Sequence, residues 1–264
     1  MAPRRPHPKR ILNCLPSTDI AQDWTFATAR AADVLAASGP LPASVDLREP
    51  WWSIGDQGST GSCVGWATAD SVLRWHFVKT GAVGKADRLS VRFIWMAAKE
   101  TDVFVNRPTT FIESDGTSLK AALDIARKYG VVLDKTLPFR SRRLYAGSAD
   151  AFYAIAAQLR IASYFNLGRD LTQWRIWLAN NGPILTRLNV DATWDGARAS
   201  AGNLDTYQPL TTRGGHAVAL VGYTADRFIV RNSWGTQAWG DKGFGYASVS
   251  YAQEAFTEAY GVSL

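Results

Sequence analysis

The feature that most constrains this chain is a cysteine at the mouth of a helix. Cys63 ends the run Asp56-Gln57-Gly58-Ser59-Thr60-Gly61-Ser62-Cys63. It also opens a stretch whose apolar residues, Val64, Ala67, Val72, Leu73 and Trp75, predict a helix to about Lys79, stopped by Thr80-Gly81. The first turn of a helix leaves backbone N–H groups unpaired and carries the positive end of the macrodipole, and both favour thiolate over thiol. More than half the chain away stand Gly214-Gly215-His216-Ala217-Val218 and then Arg231-Asn232-Ser233-Trp234-Gly235. A nucleophile, a base and an amide to orient the base thus occur in that order. A fold that uses them has to return its C-terminal half to the mouth of that helix.

The texture of the chain supports two halves of different character. Helices are predicted over Leu89 to Thr101 with Ser90 as N-cap, over Ser118 to Tyr129 closed by Gly130, and over Leu171 to Asn180 closed by Asn181-Gly182-Pro183. Beyond that point strands are predicted at Ile184 to Val190, Ala217 to Tyr223, Arg227 to Asn232, Gly243 to Ser250 and Phe256 to Val262. Residues 1–39 read as a preamble: a Pro/Arg-rich start, then an Ala-rich segment from Ile20 to Ala37, helical in part, broken by Ser38-Gly39-Pro40. Leu41 to Arg48 reads as an extended entry segment. Helices first and antiparallel strands second place the chain in the α+β class.

Composition narrows the function. With 264 residues, 47% hydrophobic and 20% charged, the chain can bury the core of one large domain or of two packed lobes. The net charge of +6 is scattered, dense only at Arg4-Arg5 and Lys9-Arg10, with no aromatic interleaving, so no nucleic-acid partner is expected. No Gly-Lys-Ser/Thr loop signals a nucleotide, and two cysteines with three scattered histidines give no zinc pattern, so neither cofactor nor metal is expected. No apolar run approaches the roughly 20 residues of a membrane span. Ile11 to Pro16 is too short and broken for a standard signal peptide, so a cytoplasmic protein, or one exported by another route, is expected.

Taken together, the motifs resemble the papain-like cysteine peptidases, closest to bacterial branches without disulfides, from about Leu41 to Val262. Gln57 precedes the cysteine by six positions, Gly61-Ser62-Cys63 opens the central helix, and His216 follows a glycine pair. Asn232-Ser233-Trp234-Gly235, with Trp239-Gly240 and Gly243-Phe244-Gly245 behind it, resembles the family segment that carries an orienting asparagine. Leu89-Ser90, Asp115-Gly116 ahead of Ala121-Ala122-Leu123, and Lys128-Tyr129-Gly130-Val131 also fit. The resemblance implies a two-lobed domain over 40–264: a helical left lobe, roughly 50–165, holding the central helix, and an antiparallel β-barrel-like right lobe, roughly 166–264. Residues 1–39 would be an N-terminal extension or a short pro-segment.

The resemblance also implies roles. Cys63 would be the nucleophile, His216 the general acid and Asn232 the residue that holds the imidazole. Gln57, with the Cys63 backbone N–H, would hold the oxyanion, and Trp234 would shield the His216–Asn232 bond. Gly116, Thr117, Gly215 and Trp234 would line the substrate groove. The expected partner is a peptide or protein substrate, met by a monomer. Three departures stand out: Thr60 replaces the family's usual cysteine, Val64 replaces an aromatic residue, and Thr117 replaces the second groove glycine, where its side chain is expected to crowd backbone pairing with substrate. A transpeptidase, a ligase or an isopeptidase would use the same acyl-enzyme, and a silent peptide-binding homologue would keep only the groove. Cys14 matches no partner pattern, His76 reads as a packing or surface residue, and the N-terminal segment reads as either a blocking segment or a strap on the back of the fold.

Overall fold

Two apolar cores divide the chain, one gathered under helices and one under a sheet. The computed structural model describes residues 10–35, 39–101, 112–140 and 145–264. In the helical lobe the central helix starts at Cys63–Gly65, widens into π-type hydrogen bonding over Trp66–Leu73, and finishes as Arg74–Lys79. Every residue from Cys63 to Leu73 is buried. The helix Val91–Thr101 crosses it where Gly65 has no side chain: a Cβ there would stand 2.8 Å from the Val91 carbonyl oxygen. Ser90 caps that helix as expected, its Oγ accepting the Phe93 N–H at 3.1 Å. Ser118 caps Leu119–Lys128 in the same way through the Ala121 N–H at 3.2 Å, and Gly130 beyond it takes a φ of +90°.

The strands are β1 (Val45–Asp46), β2 (Ser163–Asn166), β3 (Ile184–Val190), β4 (Asn203–Leu204), β5 (Gly214–Tyr223), β6 (Arg227–Arg231), β7 (Phe244–Ser248) and β8 (Phe256–Ser263). They form one sheet in the order β2-β8-β3-β5-β6-β7-β4, with β1 also paired to β5. All pairs are antiparallel except β4 with β7, which is parallel. Because β5 and β6 are antiparallel neighbours, the start of one and the end of the other share an end of the sheet. His216 is the third residue of β5 and Asn232 directly follows β6, so the topology brings the base and its amide together. After β1, the strands of the sheet resume at Ser163.

Three elements escape the sequence pattern. The helix Ala149–Ala156 buries only Ala156, so it carries no apolar stripe to read. The strand Ser163–Asn166 is short. The strand predicted over Gly243 to Ser250 stops at Ser248, whose hydroxyl accepts the Tyr251 N–H at 3.0 Å and starts the helix Val249–Ala255. In the N-terminal segment the helical part is a single 3-10 turn at Ile20–Gln22 and the helix Phe26–Ala31, which sinks Phe26 and Ala29 into the β-lobe core. Arg4, Arg5, His7, Lys9 and the break at Ser38 lie outside the described residues.

A buried charge cluster joins the lobes. Arg231, at the end of β6, reaches the central helix and places its guanidinium 3.0 Å from Asp70 Oδ2, 2.6 Å from Ser71 Oγ and over the Trp52 ring. The Asp70 carboxylate also takes Arg88 at 2.9 Å and Arg74 at 3.4 Å. Among the described residues no helix is long and apolar enough to cross a membrane.

Candidate active site

Cys63 is completely buried at the N-terminus of the central helix, and the backbone N–H of Ala217 on β5 donates to its thiol. The loop before it is fixed by its own polar groups. Thr60 Oγ1 donates to the Gln57 carbonyl oxygen at 2.7 Å and therefore accepts from Ser62 Oγ at 2.6 Å, so Thr60 holds the turn ahead of Cys63. Gln57 is buried, and its backbone N–H donates to the Ser233 carbonyl at 2.9 Å. Its side-chain Oε1 accepts from Ser233 Oγ at 2.9 Å, while Nε2 donates to the Thr60 carbonyl at 3.0 Å. An amide nitrogen carries two hydrogens, so one Nε2 donor is left over.

His216 faces Cys63 from the other lobe. Its Nε2 and Asn232 Oδ1 are 2.8 Å apart, and the same oxygen accepts the Ser233 N–H at 2.8 Å, which fixes the amide's orientation. An acceptor oxygen at Nε2 requires the proton on that nitrogen and leaves Nδ1 as the working position. Nδ1 is buried without a hydrogen bond of good geometry, and the imidazole lies close enough to the Cys63 thiol to lower its pKa. Trp234 covers the ring, with centroids 4.9 Å apart, and Trp194 meets it edge-on at 5.5 Å. Trp194 in turn stacks on Trp239 at 4.5 Å, so three tryptophans wall this side of the site.

Residues 10–15 of the N-terminal segment lie across this cleft. Arg10 binds Asp56 at 2.7 Å, the Gly58 carbonyl at 2.8 Å and the Trp234 carbonyl at 3.2 Å. Asn13 Nδ2 donates to the Ser114 carbonyl. The Cys14 N–H donates to the Gly215 carbonyl at 3.0 Å and the Leu15 N–H to the Thr117 carbonyl at 3.1 Å, so the segment pairs with both lobes at once. A groove of about 750 Å³ beside it is lined in part by Arg10, Leu12, Trp194, Arg213, Trp234 and Trp239.

All eight site residues named from sequence meet at this cleft. Cys63, His216, Asn232 and Gln57 are buried together there, and Trp234 covers the imidazole. Gly116, Thr117 and Gly215 form the edges on which the strap is laid. At Gly116 a Cβ would stand 1.8 Å from the Asn13 carbonyl oxygen, and at Gly215 one would stand 2.2 Å from that of Cys14. The Thr117 side chain is fully buried, and its carbonyl accepts the Leu15 N–H. Val64 is buried in the helical core, and Trp66 packs against Gly55, where a Cβ would stand 1.9 Å from its ring.

Cys14 is the residue the sequence reading passed over. Its thiol is buried beside that of Cys63. Burial pushes the Cys14 thiol well above its ordinary pKa, and the adjacent Cys63 sulfur pushes the same way. The Cys63 thiol lies well below its ordinary value: donation from Cys14 contributes most, and the imidazole of His216 adds to it against the opposing effect of burial. Arg187 on β3, also unread, donates from Nε to the Cys14 carbonyl at 3.0 Å. Neither Arg187 nor Trp194 belongs to a short motif. Ser233 was visible in the Asn-Ser-Trp run, but its grip on Gln57 was not. His76 is a packing residue, buried edge-on against Trp75, and burial lowers its pKa to about 4.

The papain family cysteine protease model matches residues 41–260. Xylellain, a cysteine protease from Xylella fastidiosa, superposes with a TM-score of 0.77 at 22% identity, covering 98% of each chain. A procathepsin B from Trypanosoma congolense gives 0.70 at 17% identity over 96% of this chain and 86% of its own. Digestive procathepsin L 3 of Tenebrio molitor larval midgut gives 0.64 at 17% over 96% and 77%. No curated protein matches the sequence. The matched span takes in every cleft residue except those of the strap, and the chain belongs to the papain family of cysteine proteases, hydrolases that act on peptides or proteins.

Proposed function

We propose that this chain hydrolyses peptide bonds through an acyl-thioester on Cys63. The observation that carries the reading is the buried Cys63 thiol at a helix N-terminus, facing an imidazole whose far nitrogen is held 2.8 Å from Asn232. The Cys63 thiolate attacks the scissile carbonyl, and the tetrahedral oxyanion lies between the spare Nε2 hydrogen of Gln57 and the Cys63 backbone N–H. His216, protonated at Nδ1, hands its proton to the departing amine. Water then enters against the same imidazole, attacks the thioester and releases the acid, restoring the thiolate–imidazolium pair. Trp234 and Trp194 keep water from the His216–Asn232 bond, so that bond acts in a low-dielectric setting. Every group comes from one chain, so a monomer suffices.

In this reading residues 10–15 keep the enzyme latent by filling the groove, and residues 1–39 act as a pro-segment. The test is hydrolysis of a fluorogenic peptide by the reduced full chain and by a form lacking residues 1–17. That form loses the groove segment but keeps Phe26 and Ala29, which anchor the rest. The shortened form is expected to turn over substrate and its Cys63→Ala variant is not; equal rates in the two would overturn the assignment. Mass spectrometry of the products with a competing amine present separates hydrolysis from transpeptidation.

A further inference from the structure

The chain has two cysteines, and the fold buries both in one apolar cluster, near enough for the Cys14 thiol to hydrogen-bond the Cys63 sulfur. Cys14 is not loosely apposed. Its N–H is bound to Gly215 at 3.0 Å, its carbonyl to Arg187 Nε at 3.0 Å, and the next N–H to Thr117 at 3.1 Å. Gly215 carries no side chain where one would strike the Cys14 carbonyl. The backbone around Cys14 is therefore clamped from both walls of the cleft at the level of the nucleophile. Both thiols are free, and both are buried. Autoinhibition by occupying the groove needs no sulfur at this position, since the backbone bonds do that work. The thiol is an additional chemical feature.

We propose that Cys14 and Cys63 form a reversible disulfide that locks the strap in the groove and protects the nucleophile from irreversible oxidation, an inference that rests on the peptidase reading of the same site. The oxidant is a small peroxide, hydrogen peroxide being the simplest, able to reach a sulfur beneath the strap. The Cys63 thiolate attacks one peroxide oxygen. The O–O bond breaks, the departing hydroxide takes a proton to become water, and Cys63 becomes a sulfenic acid. The Cys14 sulfur then attacks the Cys63 sulfur, the S–O bond breaks, and the hydroxyl leaves with the Cys14 proton as a second water. Two thiols have lost two electrons and two protons, and the peroxide has gained them. The Cys63 thiol, held well below its ordinary pKa, is the sulfur that attacks the peroxide first. A dithiol returns two electrons, reopens the disulfide and frees the strap.

The experiment treats the reduced full chain with hydrogen peroxide, blocks remaining thiols with iodoacetamide in denaturant, and maps peptides by mass spectrometry without reduction. The expected result is a cross-linked pair carrying Cys14 and Cys63, lighter by two hydrogens than the separate peptides and reopened by dithiothreitol. Cys14→Ser and Cys14→Ala should instead accumulate Cys63 sulfinic acid, untouched by dithiothreitol, at least about tenfold above the wild type. Wild-type Cys63 passing to sulfinic acid without a cross-link overturns the proposal, as does a cross-link found only between two chains on a non-reducing gel. Should either variant fail to fold, the wild-type map alone decides. Peptide hydrolysis by the form lacking residues 1–17 is scored separately. Turnover without the cross-link defeats the latch alone, and a cross-link without turnover defeats the peptidase reading while the thiol chemistry stands.

Discussion

His216 depends on one acceptor for its orientation. Asn232 Oδ1 holds Nε2 at 2.8 Å and is itself held by the Ser233 N–H. Asn232→Ala should leave a buried N–H unpaired at a cost of about 1–3 kcal/mol, lowering kcat about 5- to 150-fold with a smaller change in KM. A steady-state comparison on one peptide checks it, and an unchanged kcat would show that the Trp234 and Trp194 rings orient the imidazole without the amide. At this scale the sequence was most readable, because the chemistry demands particular residue types in short runs: Gln57 to Cys63, Gly214 to His216, Asn232 to Trp234. Cys14, Arg187 and Trp194 were not readable. Their contribution is a position in space, reached by a strand register or by a strap, and no local pattern records it. The burial of the Thr117 side chain belongs to the same class, since only the fold shows it.

Among the elements, the strap and the bridge between the lobes carry the clearest consequences. The strap has specific backbone bonds to both walls, with Arg10 as its outer anchor on Asp56, Gly58 and Trp234. Removing residues 1–17 should raise kcat/KM on short peptides at least about tenfold, since each 1.4 kcal/mol of strap binding is a factor of ten in groove occupancy. Arg10→Ala should raise it by less, and a full chain as fast as the shortened one would mean the strap does not compete with substrate. At the bridge, Asp70→Asn would leave Arg74, Arg88 and Arg231 crowded without their shared anion. A loss of about 3–5 kcal/mol in urea unfolding is expected, and no loss would mean that water already screens the cluster. The helices with an apolar stripe, such as Leu119–Lys128, were legible from sequence. Ala149–Ala156 was not, because it lies on the surface with only Ala156 buried.

For the molecule as a whole, acid stability has an identifiable contributor. His76 has a pKa of about 4 in the fold against an ordinary 6.5, because burial disfavours its charged form. The unfolded chain therefore binds this proton more tightly. The contribution is fully present above pH 6.5 and is lost as pH falls through about 4, amounting to about 3 kcal/mol. His76→Leu should flatten stability across that window in urea titrations, and an unchanged slope would place the acid limb on other groups. The two-lobe plan was itself legible from the change of pattern near Gly182, whereas the course of the N-terminal segment across the front of the cleft was not. The account rests on an ionised Cys63 paired with His216, and the pH dependence of Cys63 alkylation by iodoacetamide, in the form lacking residues 1–17, measures it most directly. With Cys14 removed in that form, the imidazole's contribution remains, so reaction should begin at lower pH there than in its His216→Ala variant, which should follow the ordinary thiol value of 9.0. Two curves that coincide, both rising only as an ordinary thiol ionises, would contradict it.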